Sequence, residues 1–247
     1  AYGTAAADHA KGDTISMLMD HGYKVFLASA SLQHEMALRL ADLFNETGLQ
    51  QISFDGLEGC WSSGMGQYAC QLFVKTWYDH LKPALKGKVI NDASMPGHFF
   101  WHIFTRMNWG EPWYAGFRES QTQYRLKNQE YFHRNYIPAM LGWFSMTPQT
   151  SLGDIEWLLA RAAGYDAGFA LTTSIRALHS NGRSEEALAL IKVWETARMA
   201  GAFSEAQKDK LRDIHNEFHL TATGKGQWTL TPLNISSFTF VSRATQP

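Results

Sequence analysis

Only two cysteines occur in the 247 residues, Cys60 and Cys70. No CxxC or paired Cys/His motif accompanies them, which excludes the common structural zinc sites. Two readings stay open: a small-loop disulfide in an oxidising compartment, or a pair of buried free thiols. No block of Lys or Arg exists, and the formal net charge is −1. Nucleic acid is therefore not expected as a partner, because no basic stripe is present to replace phosphate counterions. No apolar run approaches the roughly 20 residues that cross a bilayer, so no membrane span is expected. A charged-then-apolar leader is also missing, which fits an intracellular chain, a processed one or a piece of something longer. No Gly-rich phosphate fingerprint follows any candidate strand, and neither a cofactor nor a metal is expected.

Aromatic residues are plentiful: nine Trp, nine Tyr and fifteen Phe, 13% of the chain. Many stand among Gly, Asn and acids in loop-like segments, a setting in which aromatic faces stack on sugar rings. Trp101, Trp157 and Trp194 instead fit helical apolar faces and are expected in the core.

Periodicity gives an alternation of strands and helices. Strands are expected at 23–28, 51–54, 88–91, 113–117, 139–144 and 167–172. Helices are expected at 14–21, 31–45, 66–81, 121–136, 154–165, 184–199 and 204–219, and the tail 227–241 alternates in β fashion. This order is that of parallel α/β, and a (β/α)8 TIM barrel would gather the repeated acids, Asn, Arg and Trp of the strand ends around one mouth. Six strands are two short, so the first βα units are expected to lie upstream. The expected domains are a barrel over 1–222 and the start of a β-rich segment over 223–247.

The stretch QISFDGLEGCW at 51–61 is the focus. Its strand ends in Asp55 and Glu58 among glycines, with Trp61 beyond, where α/β enzymes place their chemistry. The next strand end supplies Asn91 and Asp92, then His98, His102, Trp109 and Glu111 in its loop. The one after offers Trp113, Tyr114, Arg118, Glu119 and Ser120, and the following strand Trp143. His98 and His102 stand four apart, but without an HExxH pattern they fit a structural or substrate contact better than a metal pair. An aromatic-walled cleft with several carboxylates suits glycoside hydrolysis, which needs one protonated acid and one carboxylate. Uronate elimination by a polysaccharide lyase is the alternative, with Asn91, Arg118 or a His as carboxyl neutraliser and Tyr114 or His98 as base. A non-catalytic carbohydrate-binding barrel is the third reading.

The layout of these pieces resembles the barrel of the clan that contains the α-galactosidases (melibiases). The elements that carry the likeness are ISFD ending at Asp55, the FRES run over 117–120, and PAMLG at 138–142 followed by DIEWLLAR at 154–161. The resemblance implies Asp55 as nucleophile and Arg118 as an anchor for a substrate hydroxyl or carboxylate. Ser53 replaces the Lys normally found two residues before the nucleophile, and Thr122 falls where an acid is usual. Glu119 is accordingly assigned as acid/base by proximity, with Glu58 as a competing carboxylate. The substrate-binding set is Trp61, Asn91, Asp92, His98, Trp109, Glu111, Trp113, Tyr114, Arg118 and Trp143. The expected partner is an oligo- or polysaccharide, with location outside the cytoplasm preferred.

Overall fold

A computed structural model describes residues 27–110, 116–119, 122–234 and 236. The expected helix at 14–21 and most of the expected strands at 23–28 and 113–117 lie outside these residues. The chain forms two compact units, one made of 1–49 and 56–86, the other of 50–55 and 87–247. This division differs from the boundary expected at 222/223, which falls inside a continuous strand, Glu217–Gly224.

The first unit is helical. Its helix α1 (Ala30–Thr47) starts at Ser29, whose side chain accepts from the Leu32 amide, and stops at Gly48 in the left-handed region (φ 72°). Glycine alone adopts that conformation without Cβ strain. A 3-10 helix, Leu57–Ser63, leads to α2 (Gln67–His80), which buries Ala69, Cys70, Val74 and Trp77. Ala37, Ala41 and Phe44 are the buried stripe of α1, and Phe44 meets Trp77 edge-on at 5.5 Å. The Asn45 amide donates to the His80 carbonyl at 3.0 Å and accepts from the Lys82 amide at 2.7 Å, which closes the end of α2.

In the second unit, β1 (Gln51–Phe54), β2 (Ile90–Ala93) and β3 (Arg106–Met107) form a parallel sheet in that order. After α3 (Thr122–Arg134), β4 (Met140–Ser145) and β5 (Gly168–Thr172) form a second parallel pair. Between β4 and β5 runs α4 (Leu152–Tyr165), buried almost all round from Ile155 to Gly164. The enveloping residues come from α6 (Ser184–Met199), α7 (Glu205–Arg212) and the antiparallel hairpin β6 (Glu217–Gly224) and β7 (Gln227–Leu233), while the short α5 (Ile175–Ser180) buries no residue fully. Gly164 permits this packing: a Cβ there would stand 2.9 Å from the Arg212 amide nitrogen.

The barrel expectation is overturned. The seven strands of the described residues fall into three small sheets of three, two and two strands. Closure requires every strand to be paired on both edges. Here β1 and β5 each have one neighbour, and β6 with β7 make a separate antiparallel hairpin. The helix expected over 204–219 also ends early, at Arg212, because Phe218 and Leu220 alternate with exposed residues and pair as β6. Trp157 and Trp194 are buried as expected, whereas Trp101 is 63% exposed. Among the described residues no helix is long and apolar enough to cross a membrane.

Candidate functional site at the edge of the parallel sheet

Parallel pairing puts Ser53, Asp92 and Arg106 side by side in one row across β1, β2 and β3. Neighbours in such a row stand about 4.8 Å apart. The central member, Asp92, is only 5% exposed. Burial raises its carboxyl above the ordinary Asp value, against the attraction of Arg106 and a hydrogen bond from Ser53. Among the described residues its Oδ1 has no hydrogen-bond partner. A buried carboxyl left so exposed to desolvation favours its protonated form.

A chain of hydrogen bonds with a fixed sense leads away from it. The Trp143 indole can only donate, and it donates to Asn108 Oδ1. That orients the Asn108 amide, whose Nδ2 donates to Ser53 Oγ at 2.9 Å. Ser53 thus accepts from Asn108 and keeps its own hydrogen for Asp92. Ser53 is exposed, so it is the hydroxyl through which the buried acid meets solvent.

The backbone holds these groups in place. The Asn108 amide donates to Ala93 O at 2.8 Å, extending β3 along β2, and the Trp143 amide donates to Gly110 O at 2.6 Å. Gly142 (φ 90°) makes this last approach possible, since a Cβ would sit 2.5 Å from Gly110 O. Trp143 also lines a cleft of about 250 Å³ with Arg125, Ser145, Thr147, Thr150 and Asp154. Arg125 is 4% exposed, lies 3.9 Å over the Phe144 ring and donates to the Trp143 carbonyl. A second cleft, of about 480 Å³, lies between the loop after β2 (Met95, Pro96, Gly97), Trp109 and the α3 stripe Lys127, Tyr131 and Arg134. Its size falls in the range of small-ligand pockets, about 300–1,000 Å³.

The expected site residues are placed as follows. Asp55 is exposed, immediately beyond β1 on the carboxyl side of Ser53. Asp92, Trp143 and Trp109 belong to the row and the two clefts just described. Asn91 is 1% exposed and its side chain is engaged: Oδ1 accepts from the Thr105 amide at 3.1 Å, pinning the turn into β3. His98 is fully buried in the 3-10 turn Pro96–His98, while His102 is exposed, so the two do not share a helix face. Arg118 pairs with Asp154 at 2.6 Å and with Glu217, and stacks 5.6 Å over Trp157. Burial works against its charge, but the two carboxylates outweigh that and raise it further above its usual value. Arg118, expected as a substrate anchor, is thus engaged by these long-range partners, and Glu119, expected as acid/base, is exposed. Glu58 and Trp61 belong to the helical unit and are both exposed on the 3-10 helix there. Glu111, Trp113, Tyr114 and Ser120 lie outside the described residues.

Sequence reading missed Ser53, Arg106, Asn108 and Arg125. Ser53 stands in the very motif that carries the family resemblance, where it was noted only as the replacement for a Lys. Among the described residues no group of three or more His, Cys, Asp or Glu side chains could hold a metal ion. Comparison with known proteins finds no matching family model, no matching curated protein and no matching solved structure.

Proposed function

We propose that this chain is a carbohydrate-active enzyme that cleaves a glycosidic bond with two carboxyl groups, Asp92 as proton donor and Asp55 as its partner. The observation that carries the reading is the buried Asp92, raised by desolvation and wired to an exposed hydroxyl at a strand's carboxyl end. Glycoside hydrolysis needs one acid that keeps its proton near neutral pH beside one that does not. In its neutral form Asp92 turns its own hydrogen to Ser53 Oγ, reversing the bond that Ser53 donates to the carboxylate, and the Ser53 hydrogen passes to the leaving glycosidic oxygen. Asn108 and Trp143 fix the hydroxyl for that transfer. Asp55, two residues further along the chain and exposed, supplies negative charge for the developing oxocarbenium ion. Trp143 and Trp109 offer aromatic faces on which sugar rings stack, each at the wall of a cleft.

The test is a panel of oligo- and polysaccharides assayed for new reducing ends, with Asp92→Asn and Ser53→Ala measured beside the parent. Loss of turnover with retained glycan binding is expected for both. Turnover unchanged in Asp92→Asn removes the acid from the mechanism, and products bearing an unsaturated ring move the reaction to elimination. The sealed Oδ1 of Asp92 favours a second reading, glycan binding without cleavage. Glycan binding by the parent with no turnover on any member of the panel establishes that reading instead.

A further inference from the structure

The helical unit holds the chain's two thiols against one another, a feature the proposed chemistry does not use. Cys60 is on the 3-10 helix, Cys70 belongs to the buried stripe of α2, and both are fully buried. The Cys70 thiol donates to Leu57 O at 3.2 Å, so its sulfur is left as an acceptor. Cys60 in turn hydrogen-bonds to the Cys70 side chain. The Cys60 carbonyl accepts from Gln33 Nε2 at 2.9 Å, which ties the 3-10 helix to α1 at the same point. Two sulfurs in hydrogen-bond contact across two elements need only a small movement to bond. Metal binding does not compete, since no third His, Cys, Asp or Glu completes a site among the described residues.

We infer that Cys60 and Cys70 are a disulfide pair that forms when the chain folds in the presence of a small-molecule disulfide. The hydrogen bond from Cys60 to Cys70, then burial, raises the Cys60 thiol far above its ordinary range. A buried thiol of that kind is a poor nucleophile, so exchange occurs on the folding chain, before the 3-10 helix closes over the pair. One cysteine thiolate attacks a sulfur of glutathione disulfide and expels one glutathione thiolate. The second cysteine thiolate then attacks the mixed disulfide at the protein sulfur and expels the other. Two S–H bonds become one S–S bond, and the two electrons and two protons pass to glutathione, leaving two glutathione thiols.

The experiment refolds the full chain with glutathione disulfide and, separately, with reduced glutathione alone. Expected from the oxidised arm are no free thiols in denaturant, a linked peptide pair containing Cys60 and Cys70 and lighter by two hydrogen atoms, and a higher melting midpoint. Closing so short a loop in a chain of this size corresponds to a rise of roughly 5–10 °C. Cys60→Ser should form no intrachain link under the same conditions. Two free thiols, glutathione adducts at both positions, links between chains, or a linked form that melts below the reduced one would each overturn the assignment. The thiol count on the parent chain decides the matter even where a serine variant fails to fold.

Discussion

Two polar clusters of the second unit differ in one respect. Around Arg118 the charges are matched: the guanidinium binds Asp154 and Glu217, and Asp154 closes a capping box with Ser151 at the start of α4. Around Asp92 the matching stops short. Its Oδ1 has no partner among the described residues, and Arg106 acts on it through space against the cost of burial. An unsatisfied buried oxygen costs on the order of 1–3 kcal/mol. The matched cluster joins a loop, a helix and a hairpin, and its worth is stability. The unmatched one lies on the middle strand of a three-stranded sheet and is linked through Ser53 and Asn108 to Trp143, a wall residue of one cleft, where the proposed chemistry would offset the cost.

The comparison can be broken most severely at Asp92. Asp92→Asn is expected to lower turnover by about 10²–10⁴-fold while folding stability holds or rises, since the amide carries no charge to desolvate. Steady-state kinetics and urea unfolding on the same preparation test both halves. Arg118→Ala is the mirror experiment. It strands Asp154 and Glu217, which are partly buried, and should cost about 2–3 kcal/mol of stability, less than the 3–5 kcal/mol of a fully buried pair. A double-mutant cycle with Asp154→Ala shows how much of that is coupling. Removing the Ser151 hydroxyl (Ser151→Ala) should cost about 1 kcal/mol as a lost cap, with no change in turnover.

Acid and base act on the two clusters in opposite directions. Burial alone would raise Asp154, but hydrogen bonds from Arg118 and Ser151 overcome it and lower its carboxyl below the usual carboxylate range. Its stabilising contribution is present above the unfolded value of about 3.9 and is lost as pH falls through the lower folded value. Asp92 is raised, so its contribution is full below the unfolded value and is lost as pH rises through the folded one. Unfolding curves across pH should therefore lose part of their acid slope in Asp154→Asn. In Asp92→Asn they should lose the decline that begins above about pH 4. Identical slopes in the two variants would remove the distinction between the clusters.

Much of the local structure was legible. The run ISF between Gln and Asp is a strand at Gln51–Phe54, and the helix expected over 31–45 is α1, stopped by Gly48. The segments expected at 139–144 and 167–172 are β4 and β5, displaced by one residue at most. The helix expected from residue 204 begins there, with Ser204 capping α7 through a capping box with Gln207. Legibility failed where long-range pairing decides. Strand order carries no sign of whether a sheet closes, because closure depends on partners at the first and last edges. A two-residue strand such as Arg106–Met107 offers too little alternation to be seen. For the site, both acids were found, but strand position and burial sort them: Asp92 lies within β2 and is buried, while Asp55 follows β1 and is exposed. Arg118 was expected to anchor a substrate because its actual partners lie 36 and 99 residues away.

The most direct measurement is the titration of the Asp92 carboxyl carbon by NMR, assigned through Asp92→Asn, with Asp154 followed in the same spectra. The account requires Asp92 to release its proton clearly above the ordinary Asp value of about 3.9 and Asp154 clearly below it. An Asp92 that titrates at or below that value would be an ordinary carboxylate, and the acid assigned to this site would not exist.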